Sequence, residues 1–197
     1  MIVKVCGITR VQDAAAAWEC GASAVGFIFW PKSPRFIDPY RARAIVRALP
    51  PFVTPVGVFV NQPADYVNGV ASLVRLGAVQ LHGDEDLDYL ARMNRPVIKA
   101  VSNGTAGIAW PREALLLVDA HDPDRRGGTG VTGDWEGAAT LASRRRVLLA
   151  GGLNAENVAA AVARVQPFGV DVSSGVEAAP GIKDHDRMKA FFRVLRP

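Results

Sequence analysis

Glycine-rich segments recur toward the end of the sequence, and their backbones could bind an anion. Gly127-Gly128-Thr129-Gly130, Gly151-Gly152 and Ser174-Gly175 each follow an apolar run. Consecutive glycines let backbone N–H groups approach a phosphate closely, and the dipole of a following helix favours the negative charge. A single glycine pair would be explained equally well by a tight turn, but these segments follow three successive runs. The predicted phosphate-binding residues are Gly128, Gly130, Gly151, Gly152, Ser174 and Gly175.

A second group of residues is reactive or titratable and lies within apolar runs. It comprises Lys4, Cys6, Lys99, Asp119 and Asp171. A polar group in a protein core is costly unless it is paired, so one interpretation is that the lysines and aspartates neutralise one another inside the fold. The other is a reactive site, which is favoured for the cysteine and the two aspartates because they lie near the carboxyl ends of their runs.

Eight short apolar runs, rich in β-branched residues, must position these side chains. They are Ile2–Cys6, Ala22–Phe29, Pro55–Val60, Ala78–His82, Pro96–Val101, Ala114–Asp119, Arg146–Ala150 and Phe168–Val172. Nearly continuous apolar strands are typical of a parallel sheet that helices cover on its outside. Eight β/α units of about 25 residues fill a chain of 197 and close most naturally into a small (β/α)8 barrel, a single domain over residues 1–197. A doubly wound open sheet is the alternative, which periodicity does not exclude.

Helical stretches follow seven of the eight runs. They are Val11–Cys20, a helix starting at Asp38 and Pro39, and the segments Pro63–Arg75, Glu85–Arg92, Trp135–Ala142, Ala155–Arg164 and His185–Leu195. The sequence suggests a capping box at Thr9 and Gln12, an N-cap at Asp38 with Pro39 in the first turn, and an N-cap at Asn154. The segment Ser102–Glu113 contains glycine and proline, so we expect the fifth helix to be reduced or missing.

Alternation along the strands predicts which side chains share the barrel interior. Lys4 and Cys6 are in phase in the first strand, as are Gln80 and His82 in the fourth, and Asp171 and Ser173 at the eighth. The outward face must pack against helices, so we expect the polar side chains, Lys99 included, to point inward. The active site of such a barrel lies at the carboxyl ends of its strands.

Composition limits the class of protein. A 49% hydrophobic content excludes intrinsic disorder, and the net charge of +4, from 23 basic and 19 acidic residues, favours anionic small molecules over nucleic acid. No run approaches ~18 apolar residues, and no signal-peptide layout begins the chain. We therefore expect a soluble cytoplasmic protein without a membrane partner, as a monomer or a homodimer. Two cysteines form no disulfide framework, and the three histidines are not spaced as a metal site.

Several motifs together resemble the phosphoribosylanthranilate isomerase family of tryptophan biosynthesis. The first are Lys4-Val5-Cys6-Gly7-Ile8-Thr9, Ser33-Pro34-Arg35 and Val79-Gln80-Leu81-His82-Gly83. Later ones are Gly127-Gly128-Thr129-Gly130, Leu149-Ala150-Gly151-Gly152-Leu153 and Val170-Asp171-Val172-Ser173-Ser174-Gly175-Val176-Glu177 with Pro180-Gly181 and Lys183-Asp184. The matches run in family order from residue 4 to 184. The resemblance implies a (β/α)8 barrel that converts N-(5-phosphoribosyl)anthranilate to an aminoketose by an Amadori rearrangement, without a metal or organic cofactor.

The resemblance also implies roles for individual residues. The general base falls on Cys6 and the general acid on Asp119, while Arg35 holds the anthranilate carboxylate. A thiol is mostly protonated at neutral pH, so Cys6 needs a nearby positive charge, which Lys4 could supply. The acid must instead retain its proton, and desolvation by the preceding apolar run would favour that.

Asp171 and His82 each have two possible interpretations. Asp171 either hydrogen-bonds the substrate's amine or ribose hydroxyls, or forms a structural ion pair with Lys4 or Lys99. His82 either lines the mouth of the pocket or is a strand-end histidine bonded to the backbone.

Competing functions stay open at this point. One is a sister phosphate-binding barrel, such as the histidine-pathway aminoaldose isomerase, which uses an aspartate where this chain has Cys6. Another is indole-glycerol-phosphate synthase, whose N-terminal extension and catalytic Lys–Glu set we do not find. The third is a catalytically silent barrel that only binds a phosphorylated ligand or partner.

Overall fold

Eight parallel strands close into a barrel in sequence order in the computed structural model, which describes residues 1–101, 110–119 and 135–195. The strands are β1 (Ile2–Val5), β2 (Ala24–Ile28), β3 (Thr54–Phe59), β4 (Ala78–Leu81), β5 (Val97–Val101), β6 (Leu115–Asp119), β7 (Val147–Ala150) and β8 (Gly169–Val172). The first and last strands pair directly, which closes the sheet. The predicted barrel is therefore confirmed, and the open-sheet alternative is wrong.

Helices connect the strands and cover the outside of the barrel. Within the described residues they are α1 (Val11–Glu19), α2 (Pro39–Arg47), α3 (Ala64–Val74), α4 (Leu87–Ala91), α5 (Trp135–Ala142), α6 (Val158–Val165) and α7 (His185–Leu195). After β8 come a short 3-10 helix at Ser174–Val176 and an antiparallel hairpin of β9 (Glu177–Ala179) and β10 (Ile182–Lys183). The fifth helix is expected to be reduced or missing over Ser102–Glu113. Residues 102–109 of this segment lie outside the described residues, and residues 110–113 form a bend and a turn.

The helix starts follow the predicted caps only in part. Asp38 caps α2 as expected, accepting hydrogen bonds from two N–H groups of the first turn. The capping box at Thr9 does not form, because the Thr9 hydroxyl donates instead to the carbonyl of Gly181 in the C-terminal hairpin. Asn154 accepts from the N–H groups of Glu156 and Asn157. It thus stabilises the turn before α6 rather than the helix itself.

The barrel interior is apolar at its amino end and polar toward its carboxyl end. The apolar layer contains small and branched side chains: Ala24, Val56, Ala78, Ile98, Leu117 and Leu148. Lys4 and Asp171 lie among the interior residues as predicted. The expectation for Lys99 is wrong, because its neighbour Ile98 occupies the interior and strand alternation turns Lys99 outward.

Glu85 neutralises Lys99 outside the barrel. The sequence did not predict this partner. The Lys99 ammonium lies 2.8 Å from a carboxylate oxygen of Glu85, in the loop after β4, and it also donates to the carbonyl of Gly83. Both charged side chains are almost fully buried. The pair therefore fixes the loop that follows β4 against β5.

Candidate active site

A cavity of about 410 Å³ opens at the carboxyl ends of the barrel strands. The predicted side chains that line it are Cys6, Arg35, His82, Asp119 and Asp171. Gly151, Gly152 and Ser174 of the predicted phosphate site line it too. The residues singled out in separate parts of the sequence are thus brought to one end of the barrel.

An ion pair at the junction of β1 and β8 contributes Asp171 to the lining of this cavity. Lys4 and Asp171 are register partners on the two strands, and the Lys4 ammonium lies 2.8 Å from Asp171 Oδ1. Lys4 is fully buried and Asp171 is nearly so. Of the two alternatives for Asp171, the structure shows the ion pair with Lys4. Its carboxylate also faces the cavity, so substrate contact stays a prediction.

Cys6 follows β1 and presents its thiol to the cavity. Its N–H donates to the carbonyl of Val172 at 2.8 Å, which continues the β1–β8 pairing by one residue. Only 6% of Cys6 is exposed. Burial raises the pKa of the Cys6 thiol above its ordinary value, and the positive charge of Lys4 opposes that effect. The expected influence of Lys4 therefore has the right sign, but it does not outweigh burial.

Arg35 reaches the cavity from the loop after β2 with its guanidinium already engaged. Its Nε and Nη2 donate to the two carboxylate oxygens of Glu177, at 2.9 Å and 2.7 Å. The same carboxylate accepts from the Lys183 ammonium at 2.9 Å. Sequence reasoning missed both partners. Glu177 and Lys183 occur in motifs matched to the family, but a lysine beside a Pro-Gly turn is ordinarily a surface residue.

His82 and Asp119 lie together on another side of the cavity. His82 Nε2 is 3.9 Å from Asp119 Oδ2, and its Nδ1 is hydrogen-bonded to the side-chain amide of Gln80 at 2.8 Å. His82 lines the cavity, in agreement with the first of its two interpretations. The second was a hydrogen bond to the backbone, and the structure shows a bond to the Gln80 side chain instead. Burial lowers the pKa of His82 below its usual value, with Asp119 opposing, so the imidazole is neutral at pH 7. The side chain of Asp119 is 38% exposed.

The loops after β7 and β8 form the described part of the predicted phosphate site. Gly151 and Gly152 have φ angles of 97° and 61°, a left-handed conformation that glycine adopts without strain. Gly175 does not line the cavity. A Cβ there would lie 1.9 Å from the carbonyl oxygen of Leu153, so this glycine lets the two loops pack closely. Gly128 and Gly130 lie outside the described residues.

The described residues offer no cluster of three or more histidine, cysteine, aspartate or glutamate side chains that could hold a metal ion. Among the described helices, none combines the length and the apolar character needed to cross a bilayer.

Comparison with known proteins identifies the family. A family model described as N-(5'-phosphoribosyl)anthranilate isomerase matches residues 3–194. This chain belongs to the phosphoribosylanthranilate isomerase family. The curated N-(5'-phosphoribosyl)anthranilate isomerase of Pelobacter propionicus is 46% identical to it over 198 residues, which cover 98% of this chain and 95% of the relative.

Solved structures of family members have the same fold. A phosphoribosylanthranilate isomerase in complex with reduced 1-(o-carboxyphenylamino)-1-deoxyribulose 5-phosphate is 46% identical, with a TM-score of 0.87 and coverage of 98% of this chain and 97% of that one. Monomers of the dimeric phosphoribosylanthranilate isomerase from Thermotoga maritima are 44% identical, with a TM-score of 0.86 and coverage of 98% of both chains. The family predicted from the motifs is therefore confirmed, and the sister barrels are not favoured.

A side chain at Gly26 on β2 would contact Cys6, so this glycine predicts a local effect on the thiol. A Cβ at this position would lie 2.7 Å from Cys6 Sγ and 3.1 Å from Cys6 Cα. Gly26→Ala should therefore displace the thiol and lower phosphoribosylanthranilate isomerase kcat/KM about 100-fold, because misplacement by 1 Å is enough to lose reactive geometry. Overpacking should cost about 1–3 kcal/mol of stability, so the variant should still fold.

Gly69→Ala is the matched control for this prediction. Gly69 is exposed on α3, and a Cβ there meets no atom within 4 Å. It should leave kcat/KM unchanged and raise the free energy of unfolding by about 0.5–1 kcal/mol. Wild-type kcat/KM in Gly26→Ala would show that the thiol position is not critical.

Proposed function

We propose that this chain catalyses the Amadori rearrangement of N-(5-phosphoribosyl)anthranilate to 1-(2-carboxyphenylamino)-1-deoxyribulose 5-phosphate, a step of tryptophan biosynthesis. The observation that carries the proposal is that Cys6 and Asp119 line one cavity from β1 and β6, two strands that are not neighbours in the barrel. Glycine-containing loops of the kind that bind phosphate line the same cavity. Family membership supports the substrate.

The reaction moves protons within one molecule. Asp119, as general acid, protonates the furanose ring oxygen, and the C1′–O bond breaks to give an open-chain Schiff base. Cys6, as general base, removes the proton from C2′, and the electron pair of that C–H bond forms the enolamine. The enolamine tautomerises to the ketone. Because every step is a proton transfer or a bond shift within the substrate, acid–base catalysis by two side chains suffices.

The two groups lie in different surroundings. The thiolate form of Cys6 is favoured by Lys4, which is buried close to it. On the other side of the cavity, Asp119 Oδ2 lies 3.9 Å from Nε2 of His82, whose pKa is lowered by burial. Acid and base thus have separate environments in one cavity, as two opposite roles require.

The substrate's two anionic ends would contact different parts of the cavity. The backbone N–H groups of Gly151, Gly152 and Ser174 take the phosphate, since positive-φ glycines and a helix start expose such groups to an anion. Glu177 occupies the Nε and Nη2 atoms of Arg35. The carboxylate of the anthranilate ring would therefore use the remaining N–H groups of Nη1 and Nη2.

We also infer the enzyme's compartment and assembly. Cys6 and Cys20 form no disulfide, and Cys6 needs a reduced thiol for its role, which suits the cytoplasm. A monomer and a homodimer both fit the family, and neither nucleic acid nor a membrane has a part in the reaction.

Loss of either reacting group should lower turnover strongly while the barrel stays folded. Cys6→Ala and Asp119→Asn should each lower kcat about 1,000-fold, the usual contribution of a general acid or base. The assay supplies phosphoribosylanthranilate and follows the loss of its fluorescence. Cys20→Ala is the control, because Cys20 packs against the core at the end of α1 and should retain wild-type kcat.

Near-wild-type turnover in either variant would refute the role of that residue. If the wild-type protein binds a phosphorylated ligand but does not convert it, the chain is instead a catalytically silent barrel that only binds ligand.

Removing Arg35 should mainly weaken substrate binding. Arg35→Ala should raise KM about 10–100-fold, because charged hydrogen bonds to a carboxylate contribute about 1.5–3 kcal/mol. Arg47→Ala is the control, since it removes the same charge from an exposed position on α2. An unchanged KM with intact kcat in Arg35→Ala would rule out the carboxylate contact.

A further inference from the structure

Lys183 on β10 is a buried lysine for which the reaction described above gives no role. Only 3% of it is exposed. Its Nζ lies 2.6 Å from the carbonyl oxygen of Cys6, 3.1 Å from that of Ser173 and 2.9 Å from Glu177 Oε1. An ammonium group has three N–H donors and no acceptor, and three acceptors surround this one. Burial lowers the pKa of Lys183 and Glu177 opposes that effect, while the three acceptors match the three donors of the charged ammonium.

The three acceptors belong to three segments at one end of the barrel. Cys6 follows β1, Ser173 follows β8, and Glu177 begins the hairpin that carries Lys183. Glu177 in turn accepts both hydrogen bonds of Arg35 and the N–H of Gly181 at 3.2 Å. Through this carboxylate, Lys183 is linked to the arginine that also lines the cavity.

The charges around the Cys6 thiol do not cancel. The cations Lys4, Arg35 and Lys183 are balanced by two anions, Asp171 and Glu177, each in direct contact with its cationic partner. This group of five described side chains therefore carries one excess positive charge. A thiolate at Cys6 would neutralise it. Gly26 of β2, the other strand against the thiol, adds no charge.

We propose that Lys183 is a positioning residue for Cys6: its ammonium fixes the Cys6 carbonyl at the end of β1 and supplies the excess positive charge that stabilises the thiolate. The role of the thiolate rests on the proposed function, whereas the charge effect on the thiol does not. Lys4 has the larger effect on the thiol, but it is paired one to one with Asp171 at 2.8 Å, whereas Glu177 is shared by Lys183 and Arg35.

The electrostatic effects on the thiol agree in direction with this arrangement. Burial raises the pKa of Cys6, and the nearby charge of Asp171 adds to the increase. Lys4 and Lys183 oppose it. Removing the positive charge of Lys183 must therefore shift ionisation of the thiol to higher pH.

The experiment measures ionisation of Cys6 directly, from the rate of alkylation by iodoacetamide as a function of pH. A Cys20→Ser background leaves Cys6 as the one thiol, since the chain has two cysteines. In Lys183→Met the midpoint of the rate–pH curve should rise by about one pH unit, the effect of a nearby unit charge in a partly buried site. In Lys183→Gln the midpoint should rise similarly, because the amide can still donate a hydrogen bond but carries no charge.

Two variants serve as controls: Lys183→Arg keeps the charge at this position, and Lys189→Met removes a lysine charge elsewhere on the surface. Lys183→Arg should retain a midpoint near that of the wild type, and so should Lys189→Met, which removes a lysine from an exposed position on α7. In the turnover assay, Lys183→Gln should lower kcat at least tenfold at pH 7 with KM within twofold. The acidic limb of its kcat/KM profile should move with the alkylation midpoint.

An unchanged alkylation midpoint in folded Lys183→Met would overturn the proposal, and so would a wild-type midpoint in Lys183→Gln. If Lys183→Met does not fold, Lys183→Gln decides the question alone. Because alkylation needs no turnover, a wild-type protein without isomerase activity would refute the proposed function while the shift in midpoint still tests the role of Lys183.

Discussion

The buried ion pair between Lys4 and Asp171 joins the first and last strands of the barrel, and the geometry of the site depends on it. A charge buried without a partner costs several kcal/mol, so each side chain requires the other. The two are register partners, and a slip of β8 by one residue would turn Asp171 outward and leave Lys4 unpaired. The pair thus sets where β1 ends relative to β8. That relation places Cys6 beside Ser173, whose hydroxyl donates to the Cys6 carbonyl.

The two proposed reacting groups occupy surroundings of opposite character. Cys6 is nearly buried at the β1–β8 junction, where cations outnumber anions among the neighbouring side chains. Asp119 is more exposed and lies beside His82, whose pKa burial lowers. A base must lose its proton before it acts and an acid must retain one, so a single uniform pocket would serve neither. Holding the groups on different strands of one barrel separates the two environments without a moving part.

Sequence reasoning predicted those features that depend on local patterns. The strands, the barrel closure and the helices α5 and α7 follow from short apolar runs with alternating helical stretches, and the Asp38 cap follows from its position before Pro39. The errors come from contacts between distant segments. Thr9 bonds the C-terminal hairpin in place of its own helix, and Lys183 reaches Cys6 across 177 residues. Lys99 was misplaced because a lone lysine among apolar neighbours does not reveal which face it occupies.

A structure of this enzyme with reduced 1-(o-carboxyphenylamino)-1-deoxyribulose 5-phosphate, the ligand bound in a homologue, tests the central claim most directly. The account predicts Cys6 Sγ within about 4 Å of C2′, the separation of reacting atoms in a productive complex. A carboxylate oxygen of Asp119 should lie about 3 Å from the sugar oxygen that the ring opening releases. Full occupancy with C2′ more than about 6 Å from Sγ, beyond direct or single-water proton transfer, would contradict it.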